Sequence, residues 1–189
     1  MSRVKCFRMK LIIRYIFILI HILAFFVLGC FVAVKYNMEL SIDKSVVPMF
    51  FQVFIANLAS SVFLMLSNLL FGLGLLGVTY LAFSLGIQFY TVVLAYGANN
   101  LLSIVSVLSI HGIFEIAVMM IIFNVAISNL SIWKSYLFGD SKSLTYSYKV
   151  FLKTTFIRSI VWIFIFTLIG SLLEVNVSTY LFRCLGWGL

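Results

Sequence analysis

The sequence predicts an all-α membrane protein, a polytopic transmembrane helical bundle of about five spans, and three observations carry that prediction. Of 189 residues, 64% are hydrophobic and only 10% are charged, with 20 phenylalanines and a single proline. Mean hydropathy is +1.21. Apolar runs also recur at the length that crosses a hydrocarbon core of about 30 Å, roughly 20 helical residues. A soluble domain of this length could not hide so much apolar surface from water. In hydrocarbon, helices satisfy their backbone polar groups without solvent. One membrane domain is expected to use the whole chain.

The first span is predicted at about Tyr15–Val34. It has full membrane length and no small-x-small cleavage site after it, so it reads as an uncleaved first helix. The loop from Lys35 to Val47 holds Glu39, Asp43 and Lys44 and is expected to face outward, and Pro48 suits a first helical turn. From Pro48 to Gly97 the chain is apolar and too long for one crossing. Gly72, Gly74 and Gly77 mark a break, giving spans at about Met49–Phe71 and Leu75–Tyr96. The turn Ala98-Asn99-Asn100 leads to a fourth span at about Ile104–Ile127, and the fifth is placed at about Thr154–Val175. Between these last two, Trp133, Tyr136, Tyr146 and Tyr148 lie among lysines, which predicts a segment along the inner headgroups.

The net charge of +8 is concentrated beside apolar spans. Arg3, Lys5, Arg8, Lys10 and Arg14 crowd the N-terminus, and Lys134, Lys142, Lys149, Lys153 and Arg158 flank a later segment. That distribution predicts a cytoplasmic N-terminus, an anionic lipid surface as the neighbour, and no nucleic-acid partner. It also favours two spans between Pro48 and Gly97, because one would put the two basic segments on opposite sides. Cys6, Cys30 and Cys184 offer no C-x-x-C pair, and no disulfide is expected.

Polar residues within the spans are the candidate functional positions. Asn57, Ser61 and Asn68 share one face of the second span; Gly77, Ser84 and Gln88 share one face of the third, with Gly86 close by. Such stripes are expected to act as glue between spans two and three, each contact being worth about 0.6–2 kcal/mol, with a polar pathway as the sharper alternative. In the fourth span His111 and Glu115 are one turn apart on one face, and Gly112 between them is expected to let a neighbouring helix come close. An ionisable pair at membrane depth is costly and needs a partner or a purpose. His21 is a candidate partner for Glu115, because the two lie about 10 and 14 Å above the inner edge of the core at 1.5 Å per residue.

Neither catalysis, nor a cofactor, nor a bound metal is expected. Gly72-Leu73-Gly74-Leu75-Leu76-Gly77 matches the letters of a dinucleotide fingerprint but lies between two membrane helices, with no strand before it. His111 and Glu115 with His21 fall short of an assured three-ligand zinc site. A P-loop, a G-x-S-x-G elbow and an H-E-x-x-H pair are all missing, while Asn176-Val177-Ser178 matches a glycosylation acceptor only in its letters.

The segment Ser109-Ile110-His111-Gly112-Ile113-Phe114-Glu115 resembles the P-H-G-x-x-E signature of the stage II sporulation protein M family, with Ile110 in the place of the family's proline. Asn57, Gly74, Gly77 and Leu85-Gly86 fall where that family has an asparagine, a glycine-rich middle and N-G. The similarity covers about Phe50 to Leu173. It implies a non-enzymatic protein of the bacterial plasma membrane, a scaffold within an envelope complex whose partners include cell-wall hydrolases. Its alternative implication is a component of transport, secretion or self-immunity for a circular bacteriocin, working with ABC transporter subunits.

The predicted topology is tested by thiol labelling. An impermeant reagent applied to intact cells is expected to modify Cys184 and to leave Cys6 untouched. Modification of Cys6 under those conditions would reverse the orientation.

Overall fold

Helices account for every regular element of the described residues. The structure is a computed structural model and describes residues 2–36, 38, 50–70, 72–139, 144–178 and 180; within these, the side chains of 2–11, 96, 98, 103, 107, 110, 111, 177 and 178 are left aside. Pro48, the loop at 39–47, Cys184 and the side chain of Cys6 lie outside that description. The helices are α1 (Ser2–Lys35), α2 (Phe50–Ser67), α3 (Gly74–Tyr96), α4 (Leu101–Leu137), α5 (Leu144–Phe151) and α6 (Ile157–Leu173). A π-helical turn at Leu152–Phe156 joins α5 to α6, and a second at Glu174–Ser178 ends the rod. Five stretches are long and apolar enough to cross a membrane: Ile12–Lys35, Phe50–Ser67, Gly74–Ala95, Gly112–Leu137 and Leu144–Asn176. The chain is a multi-pass, all-α membrane bundle.

The glycine-rich break is a tight turn between α2 and α3. Gly72 sits at φ 74, in the left-handed region that glycine enters without a side-chain penalty. Its N–H donates to Asn68 O at 3.2 Å, closing the end of α2. A side chain at Gly74 would run into Asn68 and the Leu64 carbonyl, so the turn is tight enough to demand a second glycine.

The segment expected along the headgroups instead forms the ends of two rods. Nothing between Ile127 and Gly139 breaks a helix, so α4 continues to Leu137 and takes Trp133 and Tyr136 with it. At 1.5 Å per residue α4 is about 55 Å long, well beyond one hydrocarbon core. The chain turns at Phe138 and Gly139, and Tyr146 and Tyr148 fall on α5.

Helix α4 is the centre of the bundle. Val118, Met119, Ile122, Phe123 and Val125 form the core with Ile18 and Ile22 of α1, Met65 of α2, Val78 and Ala82 of α3, and Ile163 of α6. Large apolar residues such as Phe31, Phe51, Phe63 and Leu76 face outward, as a lipid-solvated surface requires.

The principal partner of α3 is α1, not α2. A Cβ at Gly86 would collide with the Phe26 carbonyl of α1, and one at Gly29 with the Phe83 carbonyl of α3. Two glycines thus let the backbones cross at close range, and the Cys30 thiol donates to Gly86 O at 3.1 Å in the same crossing. The expected seam between spans two and three is reduced to the neighbourhood of the turn, where Gly77 packs on Leu64. Gly112 borders open space, with nothing within 4 Å of an added Cβ, so it is not a close-packing glycine.

At the end of the bundle nearest Arg14, polar groups bond across helices, while Arg14 Nε, Asn68 Oδ1 and Asn124 Oδ1 stay unpartnered among the described residues. Arg14 Nη2 donates to Asn124 O at 2.9 Å and to Ser128 Oγ at 3.2 Å, tying α1 to α4. Asn68 Nδ2 donates to Ile122 O at 3.1 Å, and Asn129 Nδ2 donates to Asn68 O. Tyr148 OH donates to Asn129 Oδ1 at 2.6 Å and accepts from Trp133 Nε1 at 2.7 Å. These bonds join the α2–α3 turn, α4 and α5.

Glycine substitutions test the packing. Gly86→Leu is expected to abolish the α1–α3 crossing and sharply reduce folded protein recovered from membranes. Gly112→Ala is expected to leave recovery unchanged and to raise thermal stability by up to about 1 kcal/mol through helix propensity. Equal tolerance at the two sites, by size-exclusion yield and thermal unfolding in detergent, would contradict the assignment.

Candidate ligand chamber between four helices

Away from the Arg14 end, the bundle encloses a cavity of about 200 Å³. Helical spacing delivers its walls. Asn57 and Ser61, i and i+4, come from α2 with Ser60 beside them; Leu81, Leu85 and Gln88 come from one face of α3. Helix α4 contributes Phe114, Glu115, Val118 and Met119. The final rod contributes Phe166 and Gly170, together with Thr167, Ser171 and Glu174 at i, i+4 and i+7.

Gly170 sets the width of the chamber. An added Cβ there would lie 3.2 Å from Phe114 Cβ, so only a very small residue lets α6 lie this close to α4. That approach places Glu174 and Glu115 on the same cavity. No hydrogen bond or ion pair to either carboxylate is formed among the described residues. Among the described residues, the chamber walls contain no Lys, Arg or His.

The remaining polar walls mix acceptors with the amide donors of Asn57 and Gln88. Ser60 Oγ donates to Ala56 O at 2.9 Å and Ser61 Oγ to Asn57 O at 2.7 Å, so both hydroxyl protons point into backbone. Gln88 Nε2 reaches Ser84 Oγ at 3.4 Å. Oxygen lone pairs are left over. Ser171 Oγ is buried, at 1% exposure, and has no hydrogen-bond partner among the described residues. A buried hydroxyl without a partner loses about 1–3 kcal/mol, which a ligand or an ordered water would recover.

The structure sorts the sequence candidates into separate places. Asn57, Ser61, Gln88 and Glu115 line the chamber, and Ser84 sits behind Gln88. Asn68 belongs to the buried network near Arg14, Gly77 to the α2–α3 turn region, and Gly86 to the α1 crossing. His21 is not a partner of Glu115. Its Nε2 lies 2.9 Å from Thr79 Oγ1, and its ring packs against Phe25 and Phe123, two turns of α4 away from Glu115. The His111 side chain, and with it the His111–Glu115 pair, lies outside the described residues. Among the described residues no three His, Cys, Asp or Glu side chains cluster so as to hold a metal.

Sequence reasoning missed Glu174, Ser171 and Thr167. The signal was present in their i, i+4, i+7 spacing along the last span, the same periodicity that singled out Asn57 and Ser61.

Searches of protein-family models, of curated proteins and of solved structures find no match to this chain.

Because neither carboxylate gives up a partner among the described residues, Glu115→Gln and Glu174→Gln are expected to shift stability by no more than about 0.5 kcal/mol, or to raise it by easing repulsion. Thermal unfolding in amine-free detergent buffer measures this. A loss of about 1–3 kcal/mol at Glu115→Gln would instead reveal a buried hydrogen bond, with His111 the nearest candidate.

Proposed function

We propose that this chain is a non-enzymatic component of a transport, secretion or self-immunity system of the bacterial plasma membrane, and that it holds its ligand in the chamber between α2, α3, α4 and α6. One observation carries this reading: two carboxylates from different helical segments line one shared cavity within the membrane bundle. Intramembrane carboxylates are expensive, and those that line a cavity mark a ligand or ion path by default. Helix glue would bond its polar atoms across an interface, as Asn68, Asn129 and Tyr148 do. Among the described residues, the chamber carboxylates of Glu115 and Glu174 make no such bond.

The bonded network at the Arg14 end supports a binding cycle with one closed side. It joins the α2–α3 turn to α4 and α5, while exposed Ser60 and Gln88 lie on the chamber's open rim. With the basic N-terminus in the cytoplasm, the closed end is cytoplasmic and the chamber belongs to the outer half. A sporulation-type scaffold needs no such cavity, which is why transport or immunity, with ABC transporter subunits as partners, is preferred to scaffolding of cell-wall hydrolases.

The test replaces the chromosomal copy in the parent organism with Glu115→Gln/Glu174→Gln at matched membrane abundance. Function is expected to be lost while partners recovered in a mild-detergent pull-down stay the same, and those partners are expected to include ABC transporter subunits. A double variant with full function, or recovery of cell-wall hydrolases in their place, would overturn the proposal in favour of a scaffold.

A further inference from the structure

A second cavity adjoins the chamber on its lipid side. It is a groove of about 430 Å³ between α2 and α3, walled by Ala59, Phe63, Leu64, Gly77, Tyr80 and Leu81, with Ser60 as its one small hydroxyl. Ser60 and Leu81 line both cavities, so the apolar groove and the chamber are direct neighbours across these two side chains. The groove exists because α3 packs along α1, leaving α2 and α3 splayed beyond their turn. Phe63 and Tyr80, 70% and 68% exposed, flank it on the surface that meets lipid.

We propose that groove and chamber together bind an amphipathic amine drawn from the membrane, its ammonium group between Glu115 and Glu174 and its apolar body along the α2–α3 groove. The inference rests on the chamber being the functional site, and it adds the ligand class and the route of entry.

Charge and hydrogen-bond complementarity single out an ammonium head. Among the described residues, the chamber walls carry two carboxylates and no cationic side chain. An alkylammonium carries one positive charge and three N–H donors, which suit the two carboxylates and the hydroxyl and amide oxygens of these walls. Ser171 Oγ, buried and unpartnered, supplies a neutral acceptor beside the acids. The Phe114 and Phe166 rings, with centroids 6.2 Å apart, offer π faces that favour a cation in the same space. An apolar tail matches the groove for the ordinary reason that apolar surface packs on apolar surface. Lipid already solvates such a tail, so the tail supplies position and local concentration while the head supplies specificity.

The probe is dodecylamine bearing a diazirine near its apolar end, presented to the full chain in lipid nanodiscs and followed by mass spectrometry of crosslinked peptides. Crosslinks are expected on α2 and α3 around Phe63 and Tyr80. Unlabelled dodecylamine is expected to compete and dodecanol, which has the same tail without the charge, is not. Glu115→Gln/Glu174→Gln is expected to weaken capture by about tenfold or more, as loss of a buried charge partner does. Ala59→Trp, which fills the groove and leaves both acids intact, is expected to abolish the crosslinks. Competition by dodecanol equal to that by dodecylamine, or capture unchanged in the double variant, would overturn the proposal and leave the groove a general lipid contact. If the double variant loses function in cells while wild-type protein captures no amine, the ligand assignment falls and the chamber reading stands.

Discussion

Hydrocarbon supplies no hydrogen bonds, so each polar atom inside this bundle must find its partner in the protein or in something the protein binds. That constraint divides the buried polar residues into two populations. Near Arg14, the side chains of Asn68, Asn129, Tyr148 and Trp133 and the carbonyls of Asn68 and Ile122 bond across three elements. In the chamber, Glu115, Glu174 and Ser171 have no such closure. The first set is bonded across helices even though Arg14 Nε, Asn68 Oδ1 and Asn124 Oδ1 stay unpartnered among the described residues, whereas the two carboxylates of the second make no cross-helix bond there.

Close helix packing makes the open set possible. Lipid provides no hydrophobic drive for helices to associate, so backbone approach through small residues carries much of the association. The Gly29–Gly86 crossing commits α3 to α1, and Gly170 commits α6 to α4. With both neighbours claimed, α2 meets α3 only around the turn. The groove and the chamber behind it are what remains between helices that are each well packed elsewhere. An amphipathic ligand would use both halves of that space, the apolar one for residence and the oxygen-lined one for recognition.

Much of this architecture was legible in the sequence. Hydropathy at helical length identified five crossings, and the Gly72–Gly77 cluster located the turn that makes five rather than four. Periodicity found Asn57, Ser61, Gln88 and Glu115, because a helix places residues four apart on one face whatever surrounds it. These are local or additive properties, set by residue type and spacing along one element.

Only the tertiary structure decided which faces meet. Glu115 appeared to need a histidine, yet His21 bonds Thr79 and the residue sharing Glu115's cavity is Glu174, 59 positions along the chain. Gly112 and Gly86 look alike in sequence, but one borders open space and the other touches backbone. The polar stripes of α2 and α3 suggested a mutual seam, and their residues instead went to the chamber, the α2–α3 turn and the crossing with α1. The physical reason is common to all three. In a membrane every helix face is apolar enough to meet lipid, so hydrophobicity does not choose partners, and the choice falls to close steric fit and to hydrogen bonds between residues far apart in sequence.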